Sequence, residues 1–95
     1  MILEFAMLDV KPGQEAEFEA AFSKAQLIIA GMPGYESHQL QRCVEQDNRY
    51  ILLVNWRCLE DHTVGFRGSD EYQTWKALLH HFYDPFPEVQ HFELL

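Results

Sequence analysis

The sequence predicts an α+β fold of the ferredoxin-like type, an antiparallel sheet with both helices on one face. The first observation is the order of patterns, β-α-β-β-α-β, which fills the chain without a linker or a low-complexity segment. The second is the strand 50–56, which is apolar on both faces. A chain of 95 residues can cover only one face with helices. We therefore expect a single domain over residues 1–95 that pairs its open sheet face with a second copy, as a dimeric α/β barrel homodimer.

The first half of the chain predicts a strand followed by an amphipathic helix. Residues 2–10 are mostly apolar, with Glu4 and Asp9 as breaks, and Lys11-Pro12-Gly13 ends the strand. Between residue 14 and about residue 30, apolar side chains recur at i, i+4, i+7 and i+11, which is the spacing of one helix stripe. The stripe is formed by Phe18, Phe22, Ala25 and Ile29.

The second half predicts two strands, two helices and a last strand. Residues 35–44 are polar and suit an edge strand, and residues 50–56 follow after a turn. A short helix is expected at about 59–66, and Ser69 is placed to cap a helix that runs to about Tyr83. Residues 88–95 close the chain as a strand.

Composition and charge exclude several classes of protein. The net charge of −8 disfavours nucleic acid and anionic membrane surfaces as partners, because both would be repelled. No apolar run reaches the length of about 18 residues that a membrane span needs, and the N-terminus lacks a basic segment typical of a signal peptide. Cys43 and Cys58 are expected to be reduced thiols, and the default location is the cytoplasm.

His62 is the first candidate for chemistry. It follows the apolar strand and lies on the short helix, where an imidazole could accept a proton from an acidic phenol or enol. The alternative is a structural histidine bonded to a backbone carbonyl.

Several aromatic and polar residues could form a small-molecule pocket around His62. Phe66 and Tyr72 flank the glycine-broken end of the short helix and are the better ligand candidates, whereas Trp75 and Phe82 fit a core stripe. Asn55 neighbours Trp56 on the opposite face of the strand and could bind a polar group or a partner's backbone.

The remaining histidines offer a weaker metal hypothesis. His80 and His81 are adjacent on a helix and point about 100° apart, which hinders joint ligation of one metal. With Asp84 and His91 they could still supply imidazole and carboxylate ligands, but structural or interface roles are the simpler interpretation. No nucleophile triad, phosphate loop or dinucleotide fingerprint is present.

The order of these motifs resembles the antibiotic biosynthesis monooxygenase (ABM) family. The run from Trp56 to His62, the Phe66-Arg67-Gly68-Ser69 segment and the Glu71-Tyr72 pair carry the resemblance, together with Lys11-Pro12-Gly13 before an acidic helix. The resemblance implies a dimeric α/β barrel. It also implies oxidation of an aromatic phenol, anthrone or quinol by molecular oxygen without metal, flavin or other cofactor.

The resemblance gives the candidate residues provisional roles. His62 would be the base, Tyr72 and Asn55 would orient the substrate, and Trp56 and Phe66 would pack on its ring. His80 would be a further substrate-binding residue.

Two other functions stay open. A haem-degrading branch of the family uses an Asn on the first strand, a Trp on the short helix and a His on the next helix. This chain has Phe5 or Ala6, Gly65 or Phe66, and Trp75 or Lys76 at those places, and His80 lies one turn too late. The other alternative is a ligand-binding or structural homodimer without catalysis.

Overall fold

The computed structural model describes all residues from Met1 to Leu95 and confirms the predicted order of elements. Its elements are β1 (Ile2–Asp9), α1 (Glu15–Ala30), β2 (Tyr35–Arg42), β3 (Arg49–Trp56), a π-helix (Asp61–Phe66), α2 (Asp70–Leu79), a 3₁₀ turn (His80–Phe82) and β4 (Val89–Glu93). None of the helices combines the length and the apolar character that crossing a membrane requires.

The four strands form one antiparallel sheet in the order β2-β3-β1-β4. This is the ferredoxin-like arrangement, with β1 and β3 in the centre. The register sets Glu4 of β1 opposite Val54 of β3 on one side and opposite His91 of β4 on the other. A carboxylate and an imidazole from two neighbouring strands therefore lie on the same face of the sheet.

The core lies between the sheet and the helices. The predicted stripe of α1 is confirmed, since Phe18, Phe22, Ala25 and Ile29 are all buried. Strand β3 contributes its even-numbered side chains from Tyr50 to Trp56, and α2 contributes Trp75 and Leu79. Burial of these apolar groups supplies the main driving force for the fold.

The other sheet face has no helix over it. Odd-numbered residues of β1 and β3 and a phenylalanine of β4 give it an apolar centre, in which the Phe5 and Phe92 rings meet edge to face at 6.2 Å. Met7 and Phe92 are exposed on this face, and the others are half-buried. We call this surface the open face; its apolar residues are Leu3, Phe5, Met7, Ile51, Leu53 and Phe92.

The segment between β3 and α2 departs from an ordinary helix. The backbone N–H of Arg67 donates to the carbonyl of His62 at 3.1 Å, five residues back, which is the π-helical pattern. The wider turn buries His62 and Phe66, four residues apart, against the sheet. Beside it, Gly34 adopts φ +82°, and a Cβ there would overlap the Asp61 carboxylate, so the turn before β2 requires glycine.

The expected long second helix is shorter than predicted. It ends at Leu79, and the chain tightens into the 3₁₀ turn before Tyr83 becomes extended and bridges Val10. The backbone N–H of Lys11 donates to the carbonyl of Phe82, and that of Asp84 donates to the carbonyl of Asp9, so pairing with the end of β1 replaces further helical bonds. Cys43 and Cys58 are both free, as expected.

Ser69→Ala is expected to destabilise the protein by about 1 kcal/mol. The Ser69 hydroxyl accepts a hydrogen bond from the Tyr72 backbone N–H at 3.1 Å and caps α2. Ser23→Ala is the matched control, because Ser23 is exposed on α1 and alanine suits a helix. Urea unfolding of both variants measures the difference, and an equal effect of the two substitutions would contradict the capping role.

Candidate functional site

A cavity of about 480 Å³ opens between the sheet, the π-helix and the segment that follows α2. Its wall is mainly apolar and aromatic, with a few titratable groups, which is the composition of many small-molecule sites. The lining residues are Glu4, Ala6, Leu8, Leu52, His62, Phe66, Arg67, Tyr72, Trp75, His80, Tyr83, Phe86, Pro87 and Val89.

The floor of the cavity holds a buried polar cluster that is centred on Glu4. Only 5% of Glu4 and 3% of His62 are exposed. The indole N–H of Trp56 donates to Glu4 Oε1 at 2.9 Å, and His62 Nε2 lies 3.3 Å from the same oxygen. On its other side, His62 Nδ1 lies 2.8 Å from His91 Nε2. The four side chains thus form one chain of contacts from the middle of the sheet to its edge.

His62 is held by contacts on both sides of its ring. It shares one hydrogen bond with His91, in which one imidazole donates its N–H and the other accepts. His62 Nδ1 is therefore engaged by His91, while Nε2 makes a close polar contact with Glu4 Oε1 that is not a hydrogen bond.

Burial shifts the pKa values of Glu4 and His62 in the directions that favour the neutral form of each group. It raises the pKa of Glu4 to about 6, although the Trp56 hydrogen bond and the Arg67 charge act in the opposite direction. It lowers the pKa of His62 to about 3, with the charges of Arg67 and His91 adding to the effect. At neutral pH the contact between Glu4 and His62 consequently involves a neutral imidazole and is not an ion pair.

The second oxygen of Glu4 faces the cavity. Both contacts of the carboxylate are made by Oε1. Every fully buried side-chain nitrogen or oxygen in the protein has a hydrogen-bond partner. Because Oε2 has none and Glu4 lines the cavity, Oε2 is accessible from the cavity and can accept a proton there.

Arg67 is the one cation on the cavity wall, and it has no carboxylate partner within ion-pair distance. The other three arginines of the chain, Arg42, Arg49 and Arg57, each pair with an aspartate or a glutamate. The charge of Arg67 acts on Glu4, His62 and His91, since it lowers the pKa of each. The Arg67 guanidinium can therefore pair with an anionic oxygen of a molecule bound in the cavity.

An aromatic wall faces the polar cluster. The Tyr72 ring meets Phe66 edge to face at 5.2 Å and lies 5.9 Å from His80, which in turn meets Phe86 at 4.9 Å. Burial lowers the pKa of His80, with help from the nearby Lys76 charge. Burial and the Glu4 charge raise the pKa of Tyr83, so its hydroxyl stays protonated. A flat ring fits between such side chains.

The structure gathers four of the six sequence candidates around the cavity: His62, Phe66, Tyr72 and His80. Trp56 is fully buried behind the wall, where it stacks on His62 with ring centres 5.4 Å apart. Asn55 is an odd-numbered residue of β3, so its side chain points to the open face. Its Nδ2 donates a hydrogen bond to Ser37 Oγ at 3.0 Å. Asn55 therefore lies outside the cavity.

Sequence reasoning missed Glu4 and His91 as members of the site, and it missed Arg67 as a cavity residue. A carboxylate in the middle of an apolar strand is the available signal for Glu4, but the local pattern indicates only a break in the strand. The candidate metal set is not assembled: no group of three or more histidine, cysteine or acidic side chains is arranged to hold a metal ion.

Comparison with known proteins identifies the family. The model of the antibiotic biosynthesis monooxygenase family matches residues 1–78. The chain belongs to this family.

Two relatives cover almost the whole chain of this ABM protein. The uncharacterized protein YczJ of Bacillus subtilis (strain 168) is 60% identical over 93 residues, which are 98% of each chain. A crystal structure assigned to the antibiotic biosynthesis monooxygenases, from Bordetella bronchiseptica, is 34% identical and superposes with a TM-score of 0.94 over 99% of this chain and 96% of that one.

A more distant structure shares the fold. SnoaB of Streptomyces nogalater, a cofactor-independent oxygenase, is 21% identical and has a TM-score of 0.83, covering 99% of this chain and 93% of that one. The likeness at this identity concerns the arrangement of helices and strands.

The ABM protein is expected to lose stability in acid because of His62. The folded chain binds no proton on His62 until the pH reaches about 3, whereas the unfolded chain does so near 6.5, so stability falls as the pH decreases between these values. Glu4 acts in the opposite sense between about 6 and 4.5, since its folded pKa is the higher one. Below 4.5 the His62 effect is therefore unopposed by Glu4.

Thermal unfolding at pH 6.5, 4.5 and 3 measures this dependence. The wild-type midpoint should fall most steeply below pH 4.5, and His62→Gln should flatten that part of the curve. His81→Gln, at an exposed position outside the cavity lining, is the control. A curve of His62→Gln parallel to the wild-type curve would refute the assignment.

Proposed function

We propose that this protein is a cofactor-independent monooxygenase that acts on an aromatic phenol, anthrone or quinol. One observation carries the proposal: the carboxylate–imidazole cluster of Glu4, His62 and His91 opens onto an aromatic cavity beside an unpaired arginine. Membership of the ABM family supports the same reaction class. SnoaB, a cofactor-independent oxygenase, has the same fold.

The chemistry asks little of the protein beyond proton removal and positioning. Loss of a proton turns a phenol or anthrone into an electron-rich anion, which can pass an electron to molecular oxygen directly. For an anthrone, the ring CH₂ becomes a carbonyl, one oxygen atom enters the product and the other leaves as water. The site must then accept a proton, hold the ring and limit access of bulk water.

The cavity residues fit these tasks. The polar cluster around His62 receives the proton, while Phe66 and Tyr72 pack against the ring and His80 borders it. Arg67 stabilises the anionic oxygen that forms. Trp56 does not touch the substrate in this account, since its ring lies behind His62 and holds Glu4.

Oxygen uptake with a panel of anthrones, naphthols and quinols tests the reaction. We expect uptake with at least one of them at a ratio of one oxygen molecule per product, and a loss of at least about 100-fold in kcat on His62→Ala. Haem titration of the same sample examines the haem-binding alternative. Ligand binding without oxygen uptake across the panel would favour the non-catalytic alternative.

Arg67→Gln is expected to lower kcat/KM by about tenfold or more, because the developing oxyanion loses its cation. Arg57→Gln is the matched control, since Arg57 is exposed and pairs with Asp61 away from the cavity lining. Steady-state oxygen uptake measures both variants. Equal effects of the two substitutions would remove Arg67 from the proposed mechanism.

We also propose that the protein is a homodimer joined through the open face. The apolar residues of that face form one continuous patch, and monomeric proteins rarely leave such a patch in water. Asn55 and the glutamines of β2 surround it with hydrogen-bonding groups, as at many interfaces.

The two free cysteines support placement in the reducing cytoplasm.

Phe5→Glu is expected to shift the dimer to monomers, because each interface would bury two unpaired carboxylates. Leu27→Glu is the control, since Leu27 is 74% exposed on α1, far from the open face. Sedimentation velocity gives the mass of each variant. A wild-type monomer, or a Phe5→Glu dimer as stable as the wild type, would contradict the interface.

A further inference from the structure

We infer that Tyr83 is a specificity-determining residue, whose hydroxyl forms a hydrogen bond with a second oxygen of the substrate at the end of the cavity opposite Glu4. The inference rests on the proposed function and narrows its substrate class to flat rings that carry oxygen atoms on two opposite edges, as a para-quinol does. A phenol with a single oxygen would use only the Glu4 end.

The cavity runs along the direction of β1, with Glu4 and Tyr83 at its two ends. Glu4, Ala6 and Leu8 are alternate residues of β1, so they line the cavity from one face of the sheet. Just beyond the strand, Val10 pairs with Tyr83 in an antiparallel bridge. The Cα atoms of Glu4 and Val10 are about 20 Å apart at about 3.3 Å per residue. A ring that lies over Ala6 and Leu8 therefore has Glu4 at one edge and Tyr83 at the other.

The position of Tyr83 is fixed by the backbone and by ring packing. The backbone N–H of the next residue, Asp84, donates to the carbonyl of Asp9 at 2.8 Å. The ring centre of Tyr83 lies 5.9 Å from that of Phe18 on one side and 6.3 Å from that of Phe86 on another. A side chain held in this way loses little conformational freedom when a ligand binds to it.

The hydroxyl of Tyr83 is available to a ligand. It has no hydrogen-bond partner in the protein, whereas every fully buried side-chain oxygen has one, so this hydroxyl is not fully buried. Because Tyr83 lines the cavity, its hydroxyl opens onto that space. Burial raises the pKa of Tyr83, and the charge of Glu4 adds to the effect, so the hydroxyl keeps its proton at neutral pH.

The two ends of the cavity offer different chemistry. Glu4 lies with the His62 imidazole and near the Arg67 charge, which suits removal of a proton and pairing with an anionic oxygen. Tyr83 offers a neutral hydroxyl, and its ring neighbour His80, 6.1 Å away, has its pKa lowered by burial and by the Lys76 charge. A neutral hydroxyl can accept from a quinol hydroxyl or donate to a carbonyl. The Tyr83 end therefore recognises an oxygen without requiring that it be charged.

Tyr72 is the competing residue for this role, because it also lines the cavity and its hydroxyl has no hydrogen-bond partner. Its ring meets Phe66 edge to face at 5.2 Å, and Phe66 lies 6.4 Å from His62. Tyr72 thus belongs to the helical wall that adjoins the polar cluster, whereas Tyr83 closes the far end. A substrate oxygen opposite the Glu4 edge of the ring points to Tyr83.

Tyr83→Phe removes the hydroxyl and keeps the ring. Calorimetric titration in oxygen-free buffer gives dissociation constants for 1,4-dihydroxynaphthalene and for 1-naphthol. We expect the wild type to bind the diol about tenfold more tightly, with about fivefold from the hydrogen bond and about twofold from the two equivalent orientations of the diol. The preference should fall to about twofold in Tyr83→Phe, while the affinity for 1-naphthol stays within about twofold of the wild type.

Two further tyrosine variants serve as comparisons. Tyr50→Phe is the matched control, since the Tyr50 hydroxyl donates to Glu19 at 2.6 Å and lies outside the cavity lining. It should keep the wild-type preference for the diol. Tyr72→Phe removes the competing hydroxyl and should keep that preference too.

The outcomes separate the role of Tyr83 from the reaction. The inference is overturned by a Tyr83→Phe variant that keeps the full preference or loses both probes, by a Tyr72→Phe variant that loses the preference, or by a wild type that binds both probes equally or binds neither. The proposed function still stands in each case if the wild type consumes oxygen with a member of the panel. A wild type that consumes no oxygen, but prefers the diol through Tyr83, overturns the function and supports Tyr83 as the residue that recognises a second oxygen.

Discussion

The burial of one carboxylate in the middle of the sheet is the constraint on which the rest of the site depends. Glu4 lies on a central strand with apolar neighbours, where an uncompensated charge would be costly. The Trp56 N–H reduces that cost by donating to Glu4 Oε1, and the polar His62 imidazole lies 3.3 Å from the same oxygen. Their positions are therefore tied to Glu4, and through His62 the link extends to His91.

The π-helix contributes two residues to this arrangement. His62 and Phe66 are four residues apart, so both lie on the face of the turn that is buried against the sheet. His62 then stacks on Trp56, and Phe66 reaches Tyr72 and Trp75. One irregular turn thus joins the polar floor of the cavity to its aromatic wall.

Features that depend on interactions within one helix or strand can be predicted from the sequence, whereas features that depend on contacts between distant elements cannot. The α1 stripe and the Ser69 cap depend on spacing within one element, and both were predicted. The roles of Glu4, His91 and Arg67 depend on the sheet register and on the π-turn, which join residues as far apart as 4 and 91. Local patterns contain no such information, so in the sequence Glu4 indicates only an interruption of an apolar strand.

The alternation of β3 separates the two properties proposed for the protein. Its even-numbered residues pack under the helices and hold the cavity, with Trp56 behind His62 and Leu52 in the wall. Its odd-numbered residues Ile51, Leu53 and Asn55 belong to the open face. A substitution at Leu53 can thus alter assembly without touching the cavity, since the pleat turns neighbouring side chains to opposite faces. Substitutions at the odd-numbered positions of β3 can therefore change the open face, while the even-numbered positions keep the geometry around Glu4.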